Sequence, residues 1–171
     1  MHASIGPVPF PFPNTAGRVR AVRFHDLHHI VTGYQTTTVG EFEIAAWEIA
    51  AGCHDFHAAW VINLGGLFAG TLVAPRRVFR AFVRGLHSET LYGRELDGLL
   101  DSTVGEVRRL SGAEEGAKAG VKASDLVRFV AASFTGLVVG SLSLAVVLPL
   151  LPFGLVAGAM QRRAEKAAAA S

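Results

Sequence analysis

The stretch Pro75-Arg76-Arg77-Val78-Phe79-Arg80-Ala81-Phe82-Val83-Arg84-Gly85-Leu86 decides the fold class. Phe79, Phe82, Val83 and Leu86 recur at steps of three and four, so they share one face of a helix, expected over Val78–Leu91. Arg76, Arg80 and Arg84 keep a four-residue step on another face, suited either to lipid headgroups or to water. Upstream, Phe56–Ala74 is an apolar segment interrupted by Asn63, Gly65 and Gly66, which argues for a buried or monolayer-facing helix rather than a span. Before it, Gly52-Cys53-His54-Asp55 reads as a break. A helix is expected over Val39–Ala51, with Thr38 and Glu41 at the spacing of a capping box. Gln35-Thr36-Thr37-Thr38 is then a polar connection, and Arg18–Val31 a shorter helix ending at Thr32-Gly33-Tyr34. Downstream, one short helix is expected near Glu95–Leu110. No segment reads as a strand and no repeat is visible. The fold is expected to be all-α, a helical bundle with a C-terminal apolar, membrane-associated helix.

The ends of the chain differ from this middle. Residues 1–17 hold Pro7, Pro9, Pro11 and Pro13 between apolar residues, which suits an extended arm because proline fixes φ and lacks a donor. No basic stretch precedes an apolar core there, so a secretory leader is not expected. The helical domain runs over 18–110, and the small, charged residues of 111–126 suit a linker. Phe129 to Met160 then contains no charged residue. About 20 apolar residues cross a bilayer, so Phe129–Leu148 is long enough alone, with Pro149 and Pro152 at a kinked exit. The membrane segment is placed over 127–161 and a tail over 162–171.

Charge and cysteine content exclude several functions. Lys and Arg exceed Asp and Glu by 16 − 14 = 2, too slim a surplus for nucleic-acid binding. A mean hydropathy of +0.36 with 18% charged residues leaves the chain short of the charge that covers a soluble domain. Cys53 is the sole cysteine, which excludes an intrachain disulfide and any multi-cysteine zinc site. It reads as a small buried residue. Metal chemistry, if present, falls to nitrogen and oxygen ligands.

The chemistry-bearing stretch is Phe24-His25-Asp26-Leu27-His28-His29 with Gly40-Glu41 beyond it. His25 and His29 stand four apart and share a helix face, so one ion can sit between adjacent turns. Asp26 lies about 100° round the helix from His25, as a ligand or as an outer partner fixing an imidazole tautomer. Glu41 can fold back across the threonine-rich loop. Two imidazoles with one or two carboxylates suit zinc, iron(II) or manganese(II). His28 reads as facing elsewhere and satisfied by solvent or a carbonyl, and His54 and His57 as polar groups near a helix start.

His25-Asp26-x-x-His29, eleven residues, then Glu41 resembles the HDxxH-x11-E signature of the coenzyme Q biosynthesis protein 4 family. The run from His25 to Tyr34, the Gly40-Glu41 pair, Ala81-Phe82-Val83-Arg84-Gly85 and Leu99–Leu110 are similar to that family as well. The likeness covers about residues 18–110. Two departures stand out, the short stretch before the motif and the apolar tail after Gly112. The resemblance implies a helical, membrane-associated protein of ubiquinone synthesis. It would bind a divalent metal, zinc first, through His25, Asp26, His29 and Glu41. It also implies oxidative decarboxylation at ring carbon 1 of a polyprenylated precursor, those four residues being catalytic. The partners implied are that precursor, membrane lipids and other ubiquinone-biosynthesis enzymes. The location implied is the bacterial cytoplasmic membrane, or the mitochondrial inner membrane in a eukaryote. Phe56, Trp60, Leu64, Phe68, Phe79 and Phe82 are the expected lipid-binding wall, lining a channel that opens toward the metal.

Two other readings stand beside this one. The first is a non-catalytic lipid-binding scaffold that organises the biosynthetic complex; a homodimer is left open. The second takes His25-x-x-His28-His29 and His54-Asp55-Phe56-His57 as boxes of a di-iron membrane oxygenase. Such enzymes need three histidine-rich boxes. Here the histidines are His2, His25, His28, His29, His54, His57 and His87, the first of them in the arm.

Overall fold

The structure, a computed structural model, describes residues 16–168. The order is α1 (Ala16–Thr32), α2 (Thr38–Ala51), α3 (His57–Val73), α4 (Pro75–Gly85), α5 (Leu96–Leu100), α6 (Val104–Leu110), α7 (Ala113–Lys118) and α8 (Ala123–Ala168). No strand occurs among the described residues, so the chain is all-α as its periodicity indicates. The expected arm lies outside the described residues except Ala16 and Gly17, which open α1.

Residues Ala16–Gly140 form one compact unit. Its core gathers Phe24 and Val31 of α1, Ala46 and Ile49 of α2, Leu67 of α3, and Val78 and Phe82 of α4. Pro75 sits in the first turn of α4, where its missing N–H costs nothing. The α4 helix stops at Gly85, and Leu86–Leu91 continue as turn and loop rather than helix. The stretch Glu95–Leu110 is two helices, not one. Thr103 interrupts it and caps α6, its side chain receiving Glu106 N–H while Glu106 bonds back to Thr103 N–H. That is a capping box.

The box expected at Thr38 is not formed. Thr37 caps α2 instead, accepting from Gly40 N–H at 3.3 Å, which leaves the Glu41 side chain free for other partners. The expected linker also contains a helix, α7, whose Ala113 and Gly116 are buried.

The end of α1 is held firmly, and this positions the site. Gly33, at φ 77°, turns the chain through a left-handed conformation that suits glycine. Three carbonyls of the last turn receive guanidinium donors: Arg108 bonds Val31 O and Ile30 O at 3.1 Å each, and Arg84 bonds Thr32 O at 2.8 Å. A helix C-terminus leaves carbonyls unpaired and carries partial negative charge, so cations there satisfy both needs.

The first half of α8 packs through a narrow stripe. Phe129 lies edge-on to Phe79 and Phe82, with ring centroids 5.2 and 5.5 Å away. Thr71 and Ser133 hydroxyls are 3.2 Å apart. Leu126, Val127, Val130, Phe134, Leu142 and Leu144 are exposed, and Ala123–Val146 is long and apolar enough to cross a membrane. From 141 onward the helix continues with Pro149 and Pro152 inside it.

Candidate metal centre

The site grows from one buried carboxylate. Glu48 is fully buried on α2, seven residues beyond Glu41 and so on the same face. An unpaired buried carboxylate costs several kcal/mol. Four donors remove that cost. Oε1 accepts from His25 Nδ1 at 2.9 Å and from His28 Nδ1 at 2.7 Å. Oε2 accepts from Tyr92 OH at 2.8 Å and from Asn63 Nδ2. Burial alone would raise the pKa of Glu48, but the hydrogen bonds from His25 and His28 outweigh it and hold the carboxyl well below its usual range. Glu48 is therefore ionised and acts as an acceptor on both oxygens.

That acceptor fixes the tautomer of each histidine beside it. His28 gives its Nδ1 proton to Glu48 and receives Leu91 N–H on Nε2 at 2.8 Å. Both nitrogens are committed, and burial lowers its pKa despite the carboxylate. His28 is a structural strut, not a solvent-satisfied ring. His25 likewise directs Nδ1 to Glu48, which leaves Nε2 on the other side of the ring. His29 donates Nδ1–H to Tyr34 O at 2.9 Å, which leaves its Nε2 as a lone pair.

The two Nε2 atoms are 3.2 Å apart. Glu41 reaches both, with Oε2 3.2 Å from His25 Nε2 and Oε1 3.4 Å from His29 Nε2. Gly40 makes this approach feasible: a Cβ there would fall 1.8 Å from Gln35 O, so any side chain would push the threonine loop off α2. Two nitrogen lone pairs facing each other beside a carboxylate repel unless a positive charge stands between them. Without a metal that charge is a proton. Burial would lower the pKa of His25, but Glu48 and Glu41 outweigh it and raise it to about 9.

The same three donors fit a divalent ion. His25, His29 and Glu41 each offer one atom, all within 4.8 Å of one another. Imidazoles whose other nitrogens are tied to a carboxylate and a carbonyl are the usual outer arrangement of a histidine metal site. Three protein ligands with an open position suit zinc or iron(II) chemistry. The Glu41 side chain is 44% exposed, so the group opens to solvent on that side.

Asp26, expected as a fourth member, is exposed and stands outside this group. The outer role considered for it is filled by Glu48. Glu48, Asn63 and Tyr92 were not readable as site residues from the His/Asp motif itself. A signal existed all the same: Glu48 is the one charged residue in the apolar run Ile44–Ala51. A lone carboxylate on a buried face must have partners. Asn63, read from sequence as an interruption of an apolar helix, is one of them.

Of the residues expected as a lipid wall, Phe82 belongs to the core and Phe56, Trp60, Leu64 and Phe79 pack against it. Phe56 lies in an aromatic cluster with Phe24 and Tyr92, at 5.8 and 4.8 Å, next to the buried carboxylate. Trp60 donates to His54 O at 3.0 Å. Phe79 and Phe82 instead pack against Phe129, and Leu64 and Phe68 lie against Gly136. His54 and His57 are exposed and Cys53 is buried, its thiol pushed up to about 12 by burial and by Glu48.

The chain matches no family model, no curated protein and no solved structure.

Proposed function

We propose that this chain is a metal-dependent, lipid-binding protein of ubiquinone biosynthesis, of the kind its His/Asp/Glu motif resembles. The observation that supports this is the convergence of His25, His29 and Glu41 with both Nε2 atoms freed by fixed tautomers. The proposed reaction is oxidative decarboxylation at ring carbon 1 of a polyprenylated aromatic precursor, with a hydroxyl replacing a carboxyl group. Zinc is the first choice of metal, with iron(II) or manganese(II) next. A divalent ion held by these residues supplies a Lewis acid for a ring carboxylate or phenolate oxygen. Zinc itself exchanges no electrons, so dioxygen is the proposed oxidant: the carboxyl leaves as carbon dioxide, water supplies the hydroxyl oxygen, and dioxygen takes the two electrons and two protons to become hydrogen peroxide.

The residues of the chain have distinct tasks in this reading. Glu48 and Tyr34 O hold the two imidazoles in the ligating orientation. Glu41, on the solvent side, holds or moves a proton at a substrate oxygen. Phe56 offers an apolar surface beside the site. The apolar helix over Ala123–Val146, long enough to cross a membrane, supports the proposed location in the bacterial cytoplasmic or mitochondrial inner membrane, where the lipid substrate and the other enzymes of the pathway would be met.

The test is complementation. A strain lacking its own protein of this family receives the full-length gene, and ubiquinone is measured by mass spectrometry. Wild type should restore ubiquinone, and Glu41→Gln should lower the rate of its formation about a hundredfold at equal protein level. Failure of wild type to restore it, with the protein present in the membrane fraction, would contradict the reading.

A further inference from the structure

A second polar site lies on the far face of α4. A cavity of about 420 Å³ opens between α4, the α1–α2 loop and the segment joining α7 to α8. Its size falls within the range of small-molecule sites. Arg77, Arg80 and Arg84 line it together, at the i, i+3, i+7 spacing that puts three side chains on one face. Glu43 is the single carboxylate among its lining residues.

The charges there do not balance. Glu43 binds Arg77 in a two-pronged pair, Nε to Oε1 at 2.9 Å and Nη2 to Oε2 at 2.6 Å. That pair neutralises both members and fixes the Arg77 plane. Arg84 donates to two neutral carbonyls, Ala113 O at 2.9 Å and Thr32 O at 2.8 Å, and lies over the Tyr34 ring at 5.2 Å. Its geometry is therefore set, but its charge is not cancelled. Arg80 is exposed, and no carboxylate among the described residues pairs with it. Two uncancelled guanidinium charges thus face a cavity whose lining, beyond Tyr34 and the Glu43–Arg77 pair, is apolar or small, including Ala81, Val83 and Val121.

We infer that this cavity binds a phosphate-bearing molecule, with Arg80 and Arg84 holding the phosphate and the apolar wall holding its organic part. A phosphate monoester carries about −1.5 to −2 charge near neutral pH, which matches two free guanidinium groups. Planar guanidinium donors also suit phosphate oxygens better than a single ammonium does. The molecule is either a soluble phosphate ester or the headgroup of a phosphatidic acid, since the recognised chemistry is the same. Arg80 and Arg84 touch none of His25, His29 and Glu41, and the two sites meet only through Tyr34, whose carbonyl accepts from His29 and whose ring lies under Arg84.

The experiment uses full-length protein in detergent and 1-naphthyl phosphate as the probe, followed by fluorescence. Binding should be saturable, absent for 1-naphthol, and about tenfold weaker for Arg80→Gln, since Arg80 is exposed and its loss spares the fold. Arg109→Gln, an exposed cation elsewhere, should leave affinity unchanged. Repeating the titration in phosphatidylcholine nanodiscs with phosphatidic acid distinguishes the sources. Suppression by the lipid assigns the site to a headgroup, and no suppression assigns it to a soluble ester; either supports the inference. Equal weakening by Arg80→Gln and Arg109→Gln would reduce the effect to the general positive field. Loss of binding in His29→Ala rather than Arg80→Gln would move the phosphate to the metal centre. No Arg80-dependent binding in either medium would overturn the inference.

Discussion

The face that α1 and α2 share and the first half of α8 invert the usual arrangement in opposite directions. Between α1 and α2 a carboxylate and two imidazoles are buried among aromatic rings. Along α8, Leu126, Val130, Phe134, Leu142 and Val146 are exposed. Buried charge is stable only when paired, and a continuous exposed apolar face is stable only when covered. In the first region most of the pairing comes from within the chain: Glu48 has four donors. What remains is one positive charge, wanted between two Nε2 atoms and Glu41. In the second region the cover is a stripe along one side. The inner region thus lacks a cation and the outer one an apolar cover, and each can be tested by substitution.

The largest effect is expected at Glu48. Glu48→Ala leaves His25, His28, Asn63 and Tyr92 without their common acceptor and should cost roughly 3–5 kcal/mol in urea unfolding. A cost under about 1 kcal/mol would mean that the buried network is not what joins α1, α2 and α3. The outer region is tested at Phe134, in the middle of Ala123–Val146 and 65% exposed. Phe134→Asp should reduce membrane insertion by roughly 3–4 kcal/mol on insertion scales, read as a shift from the membrane to the soluble or aggregated fraction. Unchanged partitioning would show that this face is covered by protein.

Acid–base linkage separates the cation from the network around it. In chelator-treated protein the folded pKa of His25, about 9, lies above its unfolded value of 6.5. The folded state then keeps a proton that the unfolded state releases, so stability from His25 is complete below pH 6.5. It is lost as pH rises through 9, by roughly 3 kcal/mol. A bound metal replaces that proton, so loaded protein should not show the loss. Identical pH profiles with and without metal would contradict the placement of the ion at His25. The smallest effect is expected at Asp26: Asp26→Asn should change stability by no more than about 0.5 kcal/mol, because the side chain is exposed and outside the donor group.

The helices were legible where apolar residues repeat at three and four, as in α4, and the pair His25/His29 was legible for the same reason. Their boundaries were less so. Thr37 and Thr38 are equally good caps by composition, and only the fold of the loop against Gly40 selects Thr37. Glu95–Leu110 looks continuous until Thr103 and Glu106 are seen closing on each other. At the site, adjacency in sequence misled and helical phase did not. Asp26 adjoins His25 in the chain but is exposed and outside the donor group, whereas Glu48, 23 residues on, bonds His25 directly. The partners of Glu48 come from α1, α3 and the loop after α4, and no local pattern encodes such a meeting.

Metal analysis by mass spectrometry decides whether His25, His29 and Glu41 hold one divalent ion. Full-length protein, purified without chelator and reloaded with zinc, should carry about one ion per chain. His29→Ala should carry almost none, while Asp26→Asn keeps the wild-type content. A His29→Ala variant that retains the full ion, or a wild-type protein that binds none, would contradict the account.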